Sequence, residues 1–187
     1  MRNFLIFIFE VVKVVIISLA IIIPVRYFLI QPFYVKGASM EPSFYDHEYL
    51  IIDEISYRFK EPERGEIVVF KYPKDPSQYF IKRIIALPGE KVEMKDGKVI
   101  VYTADDKRVE LDESYLDEGT ETFATTDTLI EVGEDEYFLL GDNRNHSKDS
   151  RSFGPVKRSF VVGRVLFRGW PFSRVGTFAL PEYSLIN

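Results

Sequence analysis

Tyr79-Phe80-Ile81-Lys82-Arg83-Ile84-Ile85-Ala86-Leu87-Pro88-Gly89 is the stretch on which the reading of this chain turns. It alternates, is rich in β-branched and aromatic residues and ends in Pro-Gly, the pattern of a strand closed by a turn. On a strand, Phe80, Lys82, Ile84 and Ala86 point to one face and Arg83 to the other, so the Lys82 ammonium shares its side with apolar groups. Burial of that kind disfavours the charged form. Further strand signals lie on both sides, at Tyr49–Asp53, residues 65–70, Glu136–Leu140 and residues 160–167. Asp96-Gly97 between alternating runs over residues 92–101 signals a hairpin and predicts a projecting β-ribbon. Many short strands, with hardly any helical periodicity after Ile30, predict a mainly β, antiparallel, barrel-like or sandwich-like domain.

Upstream of these strands the chain changes character. From Phe4 to Ile30 it is overwhelmingly apolar, and residues 14–23 are interrupted only by Ser18. A helix of about 20 such residues crosses a bilayer. Ser18-Leu19-Ala20 runs straight into more apolar residues and makes no convincing cleavage site, so the segment reads as an uncleaved anchor. Arg2 lies on one side, Arg26 and Lys36 on the other, and the charge bias leaves orientation open. The expected organisation is an anchor over residues 1–30 and a catalytic domain over residues 31–187. Within it, residues 91–134 form a ribbon and an acidic insertion. Residues 103–127 are turn-rich and acidic, and read as a solvated loop.

Composition removes several function classes. With 24 basic and 29 acidic residues among 187, a net charge of −5, the chain has no basic excess for nucleic acid. Having no cysteine, it has no disulfide, no thiolate nucleophile and no Cys-ligated zinc. Its two histidines, His47 and His146, form no metal-binding pair, and no metal is expected.

What remains is serine chemistry with an unusual base. Ser39 sits in Val35-Lys36-Gly37-Ala38-Ser39-Met40-Glu41-Pro42, a turn-like stretch soon after the anchor. A hydroxyl is a weak nucleophile until a positioned base takes its proton, and a neutral lysine amine serves. Making that amine a hundred to a thousand times more acidic is worth roughly 3 to 4 kcal/mol, within what burial delivers. A third segment, residues 141–154, is dense in Gly, Asp, Asn, Ser and Arg, and burying it is costly unless its groups satisfy one another.

These segments resemble, in order, the motif blocks of bacterial type I signal peptidases. The blocks are Gly37-Ala38-Ser39-Met40-Glu41-Pro42, Arg64-Gly65-Glu66-Ile67-Val68-Val69-Phe70, the Lys82 stretch and Gly141-Asp142-Asn143-Arg144-Asn145-His146-Ser147-Lys148-Asp149-Ser150-Arg151. The anchor and Phe167-Arg168-Gly169-Trp170-Pro171-Phe172 fit as well, which leaves only about residues 99–134 outside the likeness. The resemblance implies a single-span serine endopeptidase of the cytoplasmic membrane, its β-rich domain on the extracytoplasmic side. Its partners would be the bilayer and exported preproteins with small residues before the cut, with no cofactor. It makes Ser39 the nucleophile and Lys82 the general base. Ser147 would orient the amine, and Asp149 with Arg151 would support the loop that Gly141 and Asp142 open. Strand alternation, for its part, turns Arg83 to the opposite face, where it can ion-pair without competing for the serine. Gly37, Ala38, Met40 and Pro42 would shape the pocket and oxyanion turn.

Three positions depart from the family pattern. Gly37 stands where some members carry a hydroxyl that helps the Ser39 amide bind the oxyanion. His47 and Ala86 stand where glycine is usual. Trp170, Phe172 and Phe33 read equally as interface anchors or core. Two rival readings differ from this one: a non-catalytic, membrane-tethered β module that binds extracellular peptides, and a self-cleaving repressor-type protease. The joint presence of Ser39 and Lys82 argues against the first, and the anchor against the second.

Overall fold

The structure is a computed structural model that describes residues 2–28, 30–124, 129–181 and 183. The N-terminal segment forms α1 (Arg2–Phe28), within which Phe4–Ile23 is long and apolar enough to cross a membrane and has no buried residue. The side chains of Arg2 and Arg26, on which the orientation argument drew, lie outside those described, as does Asp127 at the end of the acidic stretch.

Beyond α1 the chain is mainly strand. In order come β1 (Ile30–Tyr34), β2 (Tyr49–Asp53), β3 (Ile67–Tyr72), β4 (Asp75–Ala86), β5 (Lys91–Lys95) and β6 (Lys98–Tyr102). They are followed by β7 (Arg108–Glu110), β8 (Ile130–Glu131), β9 (Glu136–Leu140), the short helix α2 (Ser150–Phe153), β10 (Val156–Lys157), β11 (Val161–Trp170) and β12 (Gly176–Thr177). The pairings among the described residues are antiparallel. One sheet runs β1-β2-β11-β3-β4-β9-β10, with β12 on β11, and a smaller one runs β7-β6-β5-β8. The mainly β, antiparallel class expected from the sequence is what the molecule adopts, as an open path of strands.

Alternation sorts the apolar residues as two-residue periodicity requires. Val68 and Phe70 of β3 pack with Ile84, Leu139, Val156 and Val161. Their neighbours Ile67 and Val69 pack on the other side with Met40, Phe44, Leu50 and Ile52. Ala86 departs from the expected face. The β4–β9 register slips between Ile84 and Ala86, so Ala86 joins Ile85 in the cluster between the two sheets.

The hairpin forms where Asp96-Gly97 placed it. Both turn residues have positive φ, 52° and 78°, as a two-residue turn between right-twisted strands demands. It does not project freely. Strands β7 and β8 flank it, and Val92, Val99 and Val101 bury against Ile85, Phe138 and Leu140 of the large sheet.

Candidate active site

The Ser39 turn is pinned by its successors. The Glu41 amide bonds back to the Ala38 carbonyl at 3.1 Å and the Phe44 amide to the Met40 carbonyl at 2.8 Å. Met40 and Phe44 are fully buried, which anchors the turn in the core and leaves Ser39 half-buried at its surface. Gly37 has φ +86° and its N–H donates to Asp46 Oδ1 at 2.9 Å. A β-carbon there meets nothing within 4 Å, so backbone conformation rather than space is what favours glycine. His47 is likewise left-handed, with φ 68°, a conformation that glycine adopts without strain.

Strand β4 delivers Lys82 to this turn. Its Nζ lies 2.7 Å from Ser39 Oγ and donates to the Ile81 carbonyl at 2.7 Å. The side chain packs beside the Phe80 ring and the residue is 3% exposed. Burial brings the amine down to about 8, against the pull of the Asp149 and Asp142 charges, which raise it. Each of those carboxylates is held by its own arginine. Arg83 grips Asp142 with Nε at 2.9 Å and Nη2 at 2.7 Å, and Arg151 grips Asp149 with Nε at 2.9 Å and Nη2 at 2.8 Å. Both acids are dry, and the arginine on each offsets part of the charge that favours the Lys82 ammonium.

The loop over residues 141–149 closes the far side. An added β-carbon on Gly141 would overlap Ser147 Oγ and stand 2.5 Å from the Ser39 carbonyl oxygen, so only glycine permits this approach. The Gly141 amide donates to Asp149 Oδ2 at 3.2 Å. Ser147 Oγ is buried without a hydrogen-bond partner among the described residues, while the Lys82 amine bonds to the Ser39 hydroxyl and donates to the Ile81 carbonyl. Pro42 sits partly buried behind the nucleophile, its carbonyl reached by Arg174 Nη2 at 3.4 Å. A cleft of about 670 Å³ runs past Ser39 and Lys82, with Ala38, Tyr79, Ile81 and His146 in its walls.

Three residues at this site escaped the sequence reading. Asn143 bonds to the nucleophile's turn. Glu113 pairs with the buried guanidinium of Arg144, and Tyr115 stacks on Arg83 at 3.8 Å. The last two come from the acidic stretch expected to be solvated. The signal available was the cost of burying Arg144, which requires an acid from elsewhere in the chain.

Residues 8–170 match the family described as "Signal peptidase, peptidase S26". The chain belongs to this family. Among signal peptidases it is 40% identical over 172 residues to a probable signal peptidase I-2 of Synechocystis, covering 89% of this chain and 75% of that protein. It is 36% identical over 174 residues to signal peptidase IB of Staphylococcus aureus, covering 84% and 86%. A solved signal peptidase I from Enterococcus faecalis V583 aligns at 35% identity over 56% of this chain and 97% of that one, with a TM-score of 0.46. Like other signal peptidases, then, the chain is a hydrolase, a protease that removes signal peptides.

Proposed function

We propose that Ser39 and Lys82 carry out this proteolysis as a nucleophile and general-base pair, in an enzyme anchored by α1 with residues 31–187 on the extracytoplasmic side of the cytoplasmic membrane. The observation that carries the reading is a dry amine 2.7 Å from a hydroxyl that sits in an open cleft. Lys82 Nζ takes the Oγ proton as the Oγ–carbonyl bond forms, then gives it to the leaving nitrogen as the C–N bond breaks. In deacylation the free amine takes a proton from the attacking water, and Oγ recovers it as the acid departs. Between transfers the lysine is an ammonium with three donors. The Ser147 hydroxyl, which has no partner among the described residues, is the acceptor for that state.

Asp142 with Arg83, and Asp149 with Arg151, act as scaffold, and residues 37–42 present the hydroxyl and the Ser39 amide. The substrates are exported preproteins with small residues before the cut. Trp170 and Phe172, edge-on at 4.8 Å and 47% and 78% exposed, are the aromatics free to enter a bilayer interface. Phe33 instead packs edge-on against Tyr79.

The test is cleavage of a preprotein by the full-length chain in detergent. Ser39→Ala and Lys82→Met should each lower kcat at least about a thousandfold, and either variant at wild-type rate overturns the pair. Protease accessibility in intact cells decides the topology.

A further inference from the structure

Asn143 makes two hydrogen bonds to the nucleophile's turn. Its backbone N–H donates to the Ser39 carbonyl at 3.1 Å and its side-chain Nδ2 to the Ala38 carbonyl at 3.1 Å. The second bond matters most. The Ala38 carbonyl and the Ser39 N–H belong to one rigid peptide plane and point in opposite directions, so fixing the oxygen aims the hydrogen. A donor on that oxygen also polarises the N–H into a better donor. The Ser39 amide is the group beside the attacking Oγ that is available to the oxyanion, and residue 37 has no side-chain hydroxyl to assist it.

The amide of Asn143 is itself oriented. His146 Nδ1 lies 3.1 Å from Asn143 Oδ1, a contact made by the Nδ1–H form, which leaves Nδ2 facing Ala38. The adjoining Arg144 is fully buried. Its Nε donates to the Gly141 carbonyl at 3.1 Å, its Nη1 to Glu113 Oε2 at 2.9 Å, and its guanidinium also meets Thr122. Arg151 Nη2 ties down the Arg144 carbonyl at 2.6 Å. Glu113 and Thr122 lie in the stretch between β7 and β8, so the insertion braces the loop from behind while Asn143 grips the turn in front.

We propose that Asn143 is a positioning residue that aims the Ser39 amide at the oxyanion, braced through Arg144 by Glu113 of the insertion. This rests on the reading of Ser39 as nucleophile. An interaction that aids only the developing oxyanion changes kcat and spares KM.

Steady-state cleavage of a preprotein, across pH and on the alkaline plateau, tests it with Asn143→Ala, Asn143→Asp, Glu113→Gln and the double variant of Asn143→Ala with Glu113→Gln. Asn143→Ala should lower plateau kcat about tenfold with KM within about twofold and the midpoint of the acid limb unmoved. Asn143→Asp keeps the size but loses the donor, and should fall at least as far. Glu113→Gln should lower kcat about threefold alone and by less in the Asn143→Ala background. Wild-type kcat in Asn143→Ala or Asn143→Asp overturns the proposal, as do losses that multiply in the double variant. An active Ser39→Ala would sink the nucleophile reading itself. An inactive Ser39→Ala beside an unimpaired Asn143→Ala sinks this proposal alone.

Discussion

The two sides of β4 treat a buried cation in opposite ways. Arg83, 4% exposed, has a bidentate carboxylate in Asp142, the Gly65 carbonyl at 3.0 Å, Ser43 Oγ at 3.2 Å and the Tyr115 ring across its face. Lys82, one residue earlier and 3% exposed, has a carbonyl and a hydroxyl and, among the described residues, no carboxylate. Desolvation is similar on the two sides, and what differs is the partner set. A fully partnered cation is scaffold, whereas an under-partnered one is a group on the verge of losing its proton. The chain holds both on successive residues by giving each nearby acid to an arginine before it can serve the lysine.

Substitution should separate the two sides by sign. Arg83→Met leaves Asp142 dry and unpaired and should destabilise the fold by about 3 to 5 kcal/mol in urea titrations. What folds should also show its acid limb of activity moved upward in pH, because the freed Asp142 charge favours the ammonium of Lys82. Little loss of stability would mean that water reaches Asp142 and that the two sides are alike.

Lys82→Met should do the reverse. The amine's pKa is depressed in the fold, so the unfolded chain binds its proton more tightly and the lysine destabilises the native state at neutral pH. The difference between about 8 and the usual value for lysine makes the methionine variant about 3 kcal/mol more stable at pH 7. For the wild type, that penalty fades as pH rises from about 8 to about 10.5, and the gap between the proteins should close across this window. Equal stabilities at pH 7 would mean the amine is hydrated. Activity should rise through about 8 in the same titration.

A milder perturbation acts on the other acid. Arg151→Gln leaves Asp149 its amide donors, so the fold should survive while the less neutralised carboxylate moves the acid limb upward in pH. An unmoved limb would mean that Asp149 is screened from Lys82 without its arginine.

Much of this contrast was legible in the sequence, because strand alternation is local. It placed Lys82 and Arg83 on opposite faces and flagged the lysine among apolar neighbours, and Asp96-Gly97 fixed its hairpin outright. Ala86 was misplaced because a bulge depends on the partner strand β9, whose register no local pattern encodes. The insertion was misjudged for a related reason. Glu113 is one acid among many in residues 103–127, and its buried long-range partner Arg144 is what sets its role. Asn143 was visible as part of a polar block, but which of its groups meets which carbonyl follows from how that loop docks on the Ser39 turn.

The smallest expected effect concerns Ser147 and bears most directly on the contrast. Its hydroxyl is buried, has no hydrogen-bond partner among the described residues, and meets the same face of Gly141 as the Ser39 carbonyl. Removing an unsatisfied buried hydroxyl releases its desolvation penalty, so Ser147→Ala should leave stability unchanged or raise it by up to about 1 kcal/mol. The activity plateau should nevertheless fall, since the ammonium formed on proton transfer loses the acceptor held ready for it. Taken together, unchanged stability with reduced turnover would mark the lysine side of β4 as satisfied only in the course of reaction. A measurable loss of stability would mean that Ser147 is already bonded at rest, and the difference between the two sides would then lie in charge alone.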